Sequence, residues 1–376
     1  MLPTGAVSLL EAEHFHTWRT GRFFGMSLHG PHDVLSTSPV NGGRSRASHL
    51  LNHQSSEGAG DHRAVDVRRE MGDDGYHRLV CDAVALEPAD CVVMGTAAHM
   101  QYASTSTFAF RDLSATAVVT AGVSGNAGRA SDPAQWYEQG GDYVNVAAAD
   151  GTINTMLHVS MPLTEAALAH TVVMITEAKT AALMDLAIPS RSSNRLATGT
   201  GTDQFCIAAP AEGPDRLTWT GKHTKAGELI GAAVVVATRE ALRWQNGLEV
   251  SLTRGIHHAL GRHGLTEERL AEGLARHLAG ERLHLAERNA KAIAFDAQVA
   301  AAAYAIAAVL DRRDAGTLPP DAADEAVLNQ AALLGSVIAA RPDAYAGIRT
   351  VLAAELRDPV ELVCAGIAHG WAAKWP

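Results

Sequence analysis

The chain has 376 residues, of which 47% are hydrophobic and 19% are charged, and its formal net charge is −10 at pH 7. This composition is typical of a globular protein of about two domains. The acidic charge and the lack of a Lys/Arg run argue against a nucleic-acid partner, because that binding needs clustered cations. The four cysteines are far apart and form no C-x-x-C pair, which argues against a zinc or thiol redox motif.

The chain contains no segment with the pattern of a membrane span or a secretion signal. Its longest apolar run, residues 299–310, is too short to cross a bilayer. Residues 1–15 lack the basic start and the apolar core of a signal peptide. We therefore expect a cytoplasmic protein without membrane insertion, and the formation of a homo-oligomer is left open.

Residues 1–238 have the pattern of a mixed α/β (α+β) domain with a layered sheet and helices. The stretch 52–75, rich in Gly, Asp, Arg and His, is the most loop-like part. One helix is predicted over residues 162–186, with Ser160 as its N-cap and Pro162 in its first turn. Strands are predicted where short β-branched runs are bounded by turn residues, over residues 90–94, 115–120, 143–147 and 232–237.

Residues 239–376 predict an all-α extension, because Leu, Ala, Glu and Arg recur there with helical spacing. This extension would cover the site as a lid or form a subunit interface. Asp321 and Asp358 are predicted N-caps, and Asp358 begins a sequence that resembles a capping box. The predicted helices cover residues 238–262, 266–279, 281–313, 321–340, 343–356 and 358–373.

A Thr- and Gly-rich segment, residues 198–203 (TGTGTD), is the first candidate for a site. Its glycines let the backbone approach a ligand, and successive N–H groups can form an anion-binding nest. Such fixed donors suit the oxyanion that forms during amide hydrolysis, and the threonine hydroxyls add further hydrogen bonds. The competing interpretation is a tight turn with solvated threonines.

The predicted helix carries a second candidate, residues 176–180 (TEAKT). A buried Glu177 could act as a general base for water, and Lys179 could stabilise developing negative charge. The two side chains are two positions apart and do not share a helix face. The competing interpretation is a pair of solvated surface charges.

The third candidate is the loop that follows the predicted strand 115–120. Asn126 stands where a nucleophile elbow requires glycine, so that motif is excluded. Loops at strand ends often bind ligands, and Asn126 and Arg129 could contact a substrate amide and a carboxylate. The competing interpretation is a turn permitted by glycine.

The chain has 18 histidines, and none belongs to an H-E-x-x-H zinc motif. We therefore predict no metal site and favour structural or solvated roles for most of them. His99, which precedes a Ser/Thr-rich run, is the one histidine that we expect near a site.

Several motifs, taken in order, resemble the adenosylcobinamide amidohydrolase (CbiZ) family over about residues 20–240. Gly231 would lie in the last strand of that domain. The matching motifs are 35–43 (LSTSPVNGG), 52–53 (NH), 94–98 (MGTAA), 119–122 (VTAG) with 126–127 (NA), 151–154 (GTIN), 175–183 (ITEAKTAAL) and 197–203 (ATGTGTD).

The resemblance implies hydrolysis of the amide that joins aminopropanol to the corrin ring of adenosylcobinamide, which yields adenosylcobyric acid. It implies a corrinoid as the small-molecule substrate and no cofactor required for catalysis. The chain departs from the family at residues 41–43, where a run of three glycines is expected, and at an inserted Ser124-Gly125. The helical C-terminal part lies outside the family domain. These departures concern the substrate more than the chemistry.

We expect hydrolysis by a water that Glu177 or Asp203 activates. The backbone N–H groups of residues 199–202 would bind the oxyanion, with help from Lys179 or Asn126. The catalytic residues would be Glu177, Lys179, Asp203 and Asn126. The substrate-binding residues would be Asn41, Gly42, Gly43, His99, Arg129, Asn154, Thr198, Gly199, Thr200, Gly201 and Thr202.

Three alternatives stay open at this point. The substrate could be a non-corrinoid amide or lactam. The nucleophile could be Thr152 or Thr155, released by self-cleavage. The protein could also bind a corrinoid without turnover. The site hypothesis requires the four catalytic residues to converge on one pocket.

Overall fold

The computed structural model describes residues 2–56, 63–134, 136–139, 142–145, 151–355 and 358–374. The chain divides into two compact units, Met1–Gly247 and Leu248–Pro376. The first unit mixes strands and helices and the second is helical, as the sequence predicts. Within the described residues, no helix is both long and apolar enough to cross a membrane.

The first unit is built around two β-sheets. Its helices are α1 (Arg63–Asp82), α2 (Glu165–Asp185) and α3 (Lys225–Asn246). Its strands in chain order are β1 (Val7–Glu11), β2 (Phe15–Thr20), β3 (Phe23–Leu28), β4 (His32–Ser36), β5 (Gly43–Ser45), β6 (His49–Gln54), β7 (Cys91–Thr96), β8 (Ser104–Phe110), β9 (Leu113–Ala121), β10 (Ala127–Gly128), β11 (Trp136–Gln139), β12 (Asp142–Asn145), β13 (Ile153–Val159), β14 (Gly199–Thr200) and β15 (Gln204–Pro210).

One sheet has five strands in the order β1-β2-β3-β6-β7, and the other has six in the order β5-β4-β15-β13-β9-β8. Leu50 and Val92 of the first sheet pack with Val118 and Met156 of the second in one buried cluster. Successive side chains of a strand point to opposite faces, so these four residues mark the faces on which the sheets meet. Two further antiparallel pairs, β10-β14 and β11-β12, lie outside both sheets.

Helices cover the outer face of each sheet. Leu51 and Val93, the neighbours of the inward-facing residues, pack with Tyr76 and Val80 of α1. Helix α3 lies along β8 and β9 of the six-stranded sheet and packs on α2. The unit therefore has four layers, in the order helix, sheet, sheet, helices, and burying both faces of each sheet stabilises it.

Three predictions of which residues are helical are wrong for this unit. Residues 232–237 lie inside α3, because a Val/Ala run satisfies a helix as well as a strand and Thr224 caps the helix by accepting from Gly227 N. Gly231, which the family resemblance implies in a strand, lies in the same helix. The first compact unit ends at Gly247, whereas the sequence predicts a boundary after residue 238. Residues 63–75 belong to α1 rather than to a loop, because the helix packs an apolar face on the sheet. Residues 57–62 lie outside the described part.

The helix predicted over residues 162–186 is present as α2, but its N-cap is Thr164. The Thr164 side chain accepts from Ala167 N at 3.2 Å. Ser160 instead accepts from Ser114 N at 2.8 Å and fixes the end of β13 against the hairpin of β8 and β9. The predicted cap is therefore wrong, and the helix begins three residues after Pro162.

The second unit is a bundle with one buried apolar cluster. Gly335 and Gly366 let two of its helices, α10 (Pro320–Ala339) and α12 (Pro359–Lys374), touch backbone to backbone, since a Cβ on Gly335 would lie 2.6 Å from Gly366 O. The helices are α4 (Val250–Thr253), α5 (Ile256–Leu260), α6 (Glu267–His277), α7 (Gly280–Arg288), α8 (Ala290–Ala294), α9 (Ala297–Asp314), α10 (Pro320–Ala339), α11 (Tyr345–Glu355) and α12 (Pro359–Lys374).

Three of the predictions for this unit need correction and one is confirmed. The helix predicted over residues 238–262 is divided, because Gly247, with a φ of 64°, ends α3, and α4 and α5 follow as separate helices. The single helix predicted over residues 281–313 is divided into α7, α8 and α9, because Asp296 caps a new helix by accepting from Gln298 N and Val299 N. Asp321 lies inside the first turn of α10 and is not its cap. Asp358 caps α12 by accepting from Val360 N and Glu361 N at 3.0 Å.

Candidate functional site

A cavity of about 780 Å³ lies where α2, β10 and β14 meet, and we call it the Lys179 cavity. Strand β14 pairs with β10, which brings the loop after β9 beside the Thr/Gly-rich segment. Helix α2 supplies Thr176, Lys179 and Thr180 to the same cavity. The other polar side chains that line it are Asn126, Arg129, Asp132, Arg191, Ser192, Thr198, Thr200, Thr202 and Asp203.

Lys179 and Asp203 form an ion pair in the wall of this cavity, in which Lys179 Nζ donates to Asp203 Oδ2. The side chains are 12% and 16% exposed, so solvent screens the pair only in part. Lys179 has three N–H donors, and this bond uses one of them. The ammonium group can therefore donate to a ligand in the cavity while Asp203 holds it.

Asp203 accepts four hydrogen bonds. Oδ2 accepts from Lys179 and from Thr200 N at 3.0 Å. Oδ1 accepts from Ile153 N at 3.1 Å and from the Thr200 hydroxyl at 2.6 Å. An ionised carboxylate has about four acceptor sites, so a free water has none left to approach. Among the described residues, the Thr200 hydroxyl is the one side-chain hydroxyl that donates to the Asp203 carboxylate.

Gly199 allows this arrangement because a side chain there would collide with it. A Cβ on Gly199 would overlap Asp203 Oδ2 and lie 2.9 Å from Lys179 Nζ. Gly128, its partner in the β10-β14 pair, faces open space, since a Cβ there would meet no atom within 4 Å. A side chain at residue 199 would therefore displace the Asp203–Lys179 pair, whereas one at residue 128 would not.

The backbone N–H groups of the Thr/Gly-rich segment are largely engaged within the loop. Thr200 N donates to Asp203, and Gly201 N donates to the backbone carbonyl of Asn126 at 3.3 Å. Thr202 N lies 3.5 Å from the Thr200 hydroxyl, at the limit of a hydrogen bond. The predicted oxyanion nest is therefore mostly occupied by the loop itself, and the Lys179 ammonium is the better-placed donor.

Asn126 is held at the edge of the cavity by the neighbouring loops. Its Nδ2 donates to Gly151 O at 3.0 Å and lies 3.4 Å from the Thr202 hydroxyl. The Thr202 hydroxyl donates to the same carbonyl at 2.9 Å. Asn126 and Thr202 therefore shape the cavity wall through Gly151.

Two arginines and one aspartate line the remaining wall. Arg129 Nη1 donates to Leu196 O at 3.0 Å, and Arg191 Nε donates to Ser124 O at 2.6 Å. Asp132 accepts from Ser190 Oγ at 2.5 Å and from Arg129 N at 2.8 Å. Burial by itself raises the pKa of Asp132, but these hydrogen bonds outweigh it and lower the pKa. The two guanidinium groups thus stand beside a carboxylate whose Oδ2 accepts two hydrogen bonds.

Glu177 lies apart from the other predicted catalytic residues. It is 46% exposed, it pairs with Lys222 Nζ at 2.6 Å, and it does not line the Lys179 cavity. Successive helical residues turn by about 100°, so Glu177 points roughly opposite to Lys179. The structure brings Asn126, Lys179 and Asp203 together and leaves Glu177 on the surface.

Asn41 and Gly42 lie in the turn before β5, and Gly43 is the first residue of that strand; all three are outside the cavity. Asn41 has a φ of 56° and donates through Nδ2 to Pro88 O at 3.0 Å and to Cys91 O at 2.9 Å. These bonds clamp the turn to the start of β7. This segment therefore holds strands in place and does not line the Lys179 cavity.

Asn154 and His99 also lie outside the cavity. Asn154 is 1% exposed and donates through Nδ2 to Asn52 Oδ1 at 2.9 Å and to Gly95 O at 3.0 Å, which links the two sheets. His99 N donates to Gln245 Oε1 at 3.0 Å. A fully bonded buried amide of this kind is a structural element of the core.

The threonines proposed as alternative nucleophiles are both buried. Thr152 is 4% exposed and donates its hydroxyl to Thr202 O at 2.6 Å. Thr155 is 1% exposed in the middle of β13. Sequence reasoning did not single out Asp132, Ser192 or Arg191 of the cavity wall. Their segments carry no motif, and only the pairing of β10 with β14 brings them to the site.

A layered α/β domain with a polar, partly cationic cavity is an architecture that suits the binding of a small molecule. The sequence model of the adenosylcobinamide amidohydrolase family, CbiZ, matches residues 8–250. The chain therefore belongs to the adenosylcobinamide amidohydrolase family. An uncharacterised protein of Methanocaldococcus jannaschii, MJ1613, is 33% identical over 187 residues, which are 46% of this chain and 71% of that protein.

Proposed function

We propose that the Lys179 cavity hydrolyses a carboxamide C–N bond and that the substrate is adenosylcobinamide, which would give adenosylcobyric acid and aminopropanol. The family match supports the amide chemistry and a corrinoid as the substrate class. The cavity size supports a small-molecule substrate, because ligand pockets usually measure about 300–1,000 Å³. Only the side chain of the corrin ring that carries the amide has to enter the cavity.

One observation carries the proposal: Thr200, Asp203 and Lys179 form a continuous hydrogen-bonded chain at the cavity wall. A hydroxyl, a carboxylate within hydrogen-bond reach and a third group that orients the carboxylate are the parts of an activated nucleophile. The Thr200 oxygen would attack the amide carbon, and its proton would pass to Asp203 Oδ1. This step needs no free acceptor site on Asp203, because the proton moves along an existing hydrogen bond.

Lys179 would stabilise the transition state. As the amide carbon becomes tetrahedral, its oxygen gains negative charge, and the ammonium group can donate to it. The C–N bond then breaks, and the proton held by Asp203 goes to the amine nitrogen that leaves. Water would attack the resulting Thr200 ester, return the proton to the Thr200 oxygen and release the carboxylic acid.

Arg129 and Arg191 would bind polar groups near the reacting amide. Both guanidinium groups line the cavity and each uses N–H donors on a backbone carbonyl, so their orientation is fixed. A guanidinium has five N–H donors, which leaves several for a ligand. The carboxamides of a corrin ring are acceptors of the right kind.

Product identification tests the substrate. Purified protein is incubated with adenosylcobinamide, and mass spectrometry follows adenosylcobyric acid and aminopropanol, beside an absorbance titration of corrinoid binding. The proposal predicts both products. Cleavage of other amides with no corrinoid binding would point to a non-corrinoid amidohydrolase. Tight binding with no product would point to a corrinoid-binding protein.

A further inference from the structure

Two histidines and a glutamate meet at one end of the five-stranded sheet. Glu11 ends β1 and pairs directly with His16 of β2 in the antiparallel register. His29 follows the last residue of β3, and its backbone N–H donates to His14 O at 2.8 Å. Strand pairing thus brings three potential metal ligands, from two strands and the loop after a third, onto one small patch.

The distances between the ligand atoms fit a tetrahedral metal ion. His16 Nδ1 lies 3.0 Å from His29 Nε2, and His29 Nε2 lies 3.7 Å from Glu11 Oε1. One ligand atom from each residue lies within 4.8 Å of the others. Zinc bound at 2.0–2.1 Å places adjacent tetrahedral ligands about 3.3 Å apart. Side-chain shifts of a few tenths of an ångström to about 1 Å would therefore bring the three ligand atoms to the spacing that zinc requires.

A backbone contact orients one of the imidazoles for a metal. His29 Nδ1 lies 3.1 Å from the carbonyl oxygen of Glu13, which can only accept, so Nδ1 carries the hydrogen. Nε2 of a neutral His29 is then unprotonated and has a lone pair to offer. Metal-binding histidines commonly donate their other ring N–H in this way.

The second imidazole, that of His16, faces the first through its Nδ1 atom. His16 Nδ1 shares a hydrogen with His29 Nε2 in the metal-free protein. A change of tautomer that moves this hydrogen to Nε2 of His16 would free both facing nitrogens for the ion.

We propose that Glu11, His16 and His29 bind a zinc ion, with water completing its coordination. The glutamate is 69% exposed and His29 is 37% exposed, so the fourth position faces solvent. Two imidazoles and a carboxylate suit zinc better than magnesium or calcium, which take oxygen ligands. The ion ties the edge strand β1 to β2 and to the end of β3. The site makes no use of the Lys179 cavity.

Calorimetric titration of the metal-free full chain with zinc at neutral pH tests this site. We expect one zinc per chain and a rise in melting temperature on zinc addition. Glu11→Gln, His16→Gln and His29→Gln should each weaken binding at least about tenfold and reduce that rise, because each removes a ligand. His223→Gln, which changes an exposed turn histidine, should bind as the wild type does.

The result that would overturn the proposal is either no zinc binding by the wild-type chain or unchanged affinity in all three ligand variants. Magnesium serves as a second control and should give no heat of binding at the same concentration. Circular dichroism of each variant shows whether it folds. All three ligands lie at or near the surface, so we expect native spectra, and a loss of binding then reports on the ligands themselves.

Discussion

Lys179 of α2 and Asp203, which directly precedes β15, form an ion pair that is only 12% and 16% exposed. Asp203 also accepts from Ile153 N and from the backbone N–H and the hydroxyl of Thr200. One carboxylate therefore joins a helix, a strand and a glycine-rich loop at the cavity wall. Its bonds fix where the Lys179 ammonium and the Thr200 hydroxyl stand.

Asp203→Asn should abolish most of the activity while the protein stays folded. The amide has nearly the same shape, but it cannot neutralise Lys179 or take the proton of Thr200. Loss of general base catalysis lowers rates about 10²–10⁴-fold. Steady-state kcat for amide cleavage measures the effect, and a variant with kcat near the wild-type value would remove Asp203 from the mechanism.

Thr200→Val and Thr200→Ser form a matched pair that tests the nucleophile. Valine keeps the size of the side chain and removes the hydroxyl, so we expect kcat to fall at least about 10²-fold. Serine keeps the hydroxyl and should retain a substantial part of the activity. Equal activities of the two variants would show that the attacking group is a water or another residue.

Gly199→Ala should lower kcat because its methyl group would overlap Asp203 and crowd Lys179. Gly128→Ala is the control, since a methyl group there meets nothing within 4 Å on the paired strand. The two substitutions add the same single carbon and differ in what it touches. We expect a fall of about tenfold or more for the first, because a small displacement of reacting groups is costly. Similar kcat values for the two variants would contradict the claim that activity depends on the close approach of Gly199 to Asp203 and Lys179.

The stability of the first unit should fall as the pH drops below 6.5. Burial, with neighbouring histidines, lowers the pKa of His158 well below its ordinary value, and burial also lowers that of His32. Their rings meet Nε2 to Nε2 at 3.2 Å, so at least one of the two facing nitrogens is unprotonated in the folded chain. Below pH 6.5 the unfolded chain takes up protons that the folded chain does not, and stability is lost from there down to the folded pKa.

Urea unfolding between pH 5 and pH 7.5 checks this slope. Each such histidine contributes at most about 1.4 kcal/mol per pH unit. His158→Phe removes one titrating group, and the benzyl ring can pack on Phe15, whose ring lies 4.6 Å from that of His158. The variant should show a shallower dependence below pH 6.5. The same slope in the wild type and in the variant would show that groups other than His158 cause the pH dependence.

The layered fold could be predicted to the extent that short-range patterns determine it. Residues 115–120 are predicted as a strand because β-branched residues are bounded by turn residues there. The segment lies in β9, as predicted. Residues 232–237 have a similar composition, rich in Ala and Val, and form part of a helix. What separates the two is packing against distant elements, which composition does not record.

The candidate site was predictable in part for a similar reason. The segments with Asn126, Lys179 and Asp203 carry family motifs, and the structure brings them to one cavity. Glu177 belongs to the same motif as Lys179 but lies on the other side of the helix. The histidines that form the proposed zinc site carry no spacing signal, because strand pairing alone joins them.

The most direct test of the central claim is the initial rate of adenosylcobinamide cleavage by the wild-type chain and by Lys179→Met. Methionine keeps much of the length and the apolar stem but cannot donate to an oxyanion. We predict turnover by the wild type and a kcat lower by about 10²–10³-fold in the variant, which is the usual cost of losing such a donor. Equal rates would contradict the account of this cavity, and so would a wild-type chain that cleaves no amide.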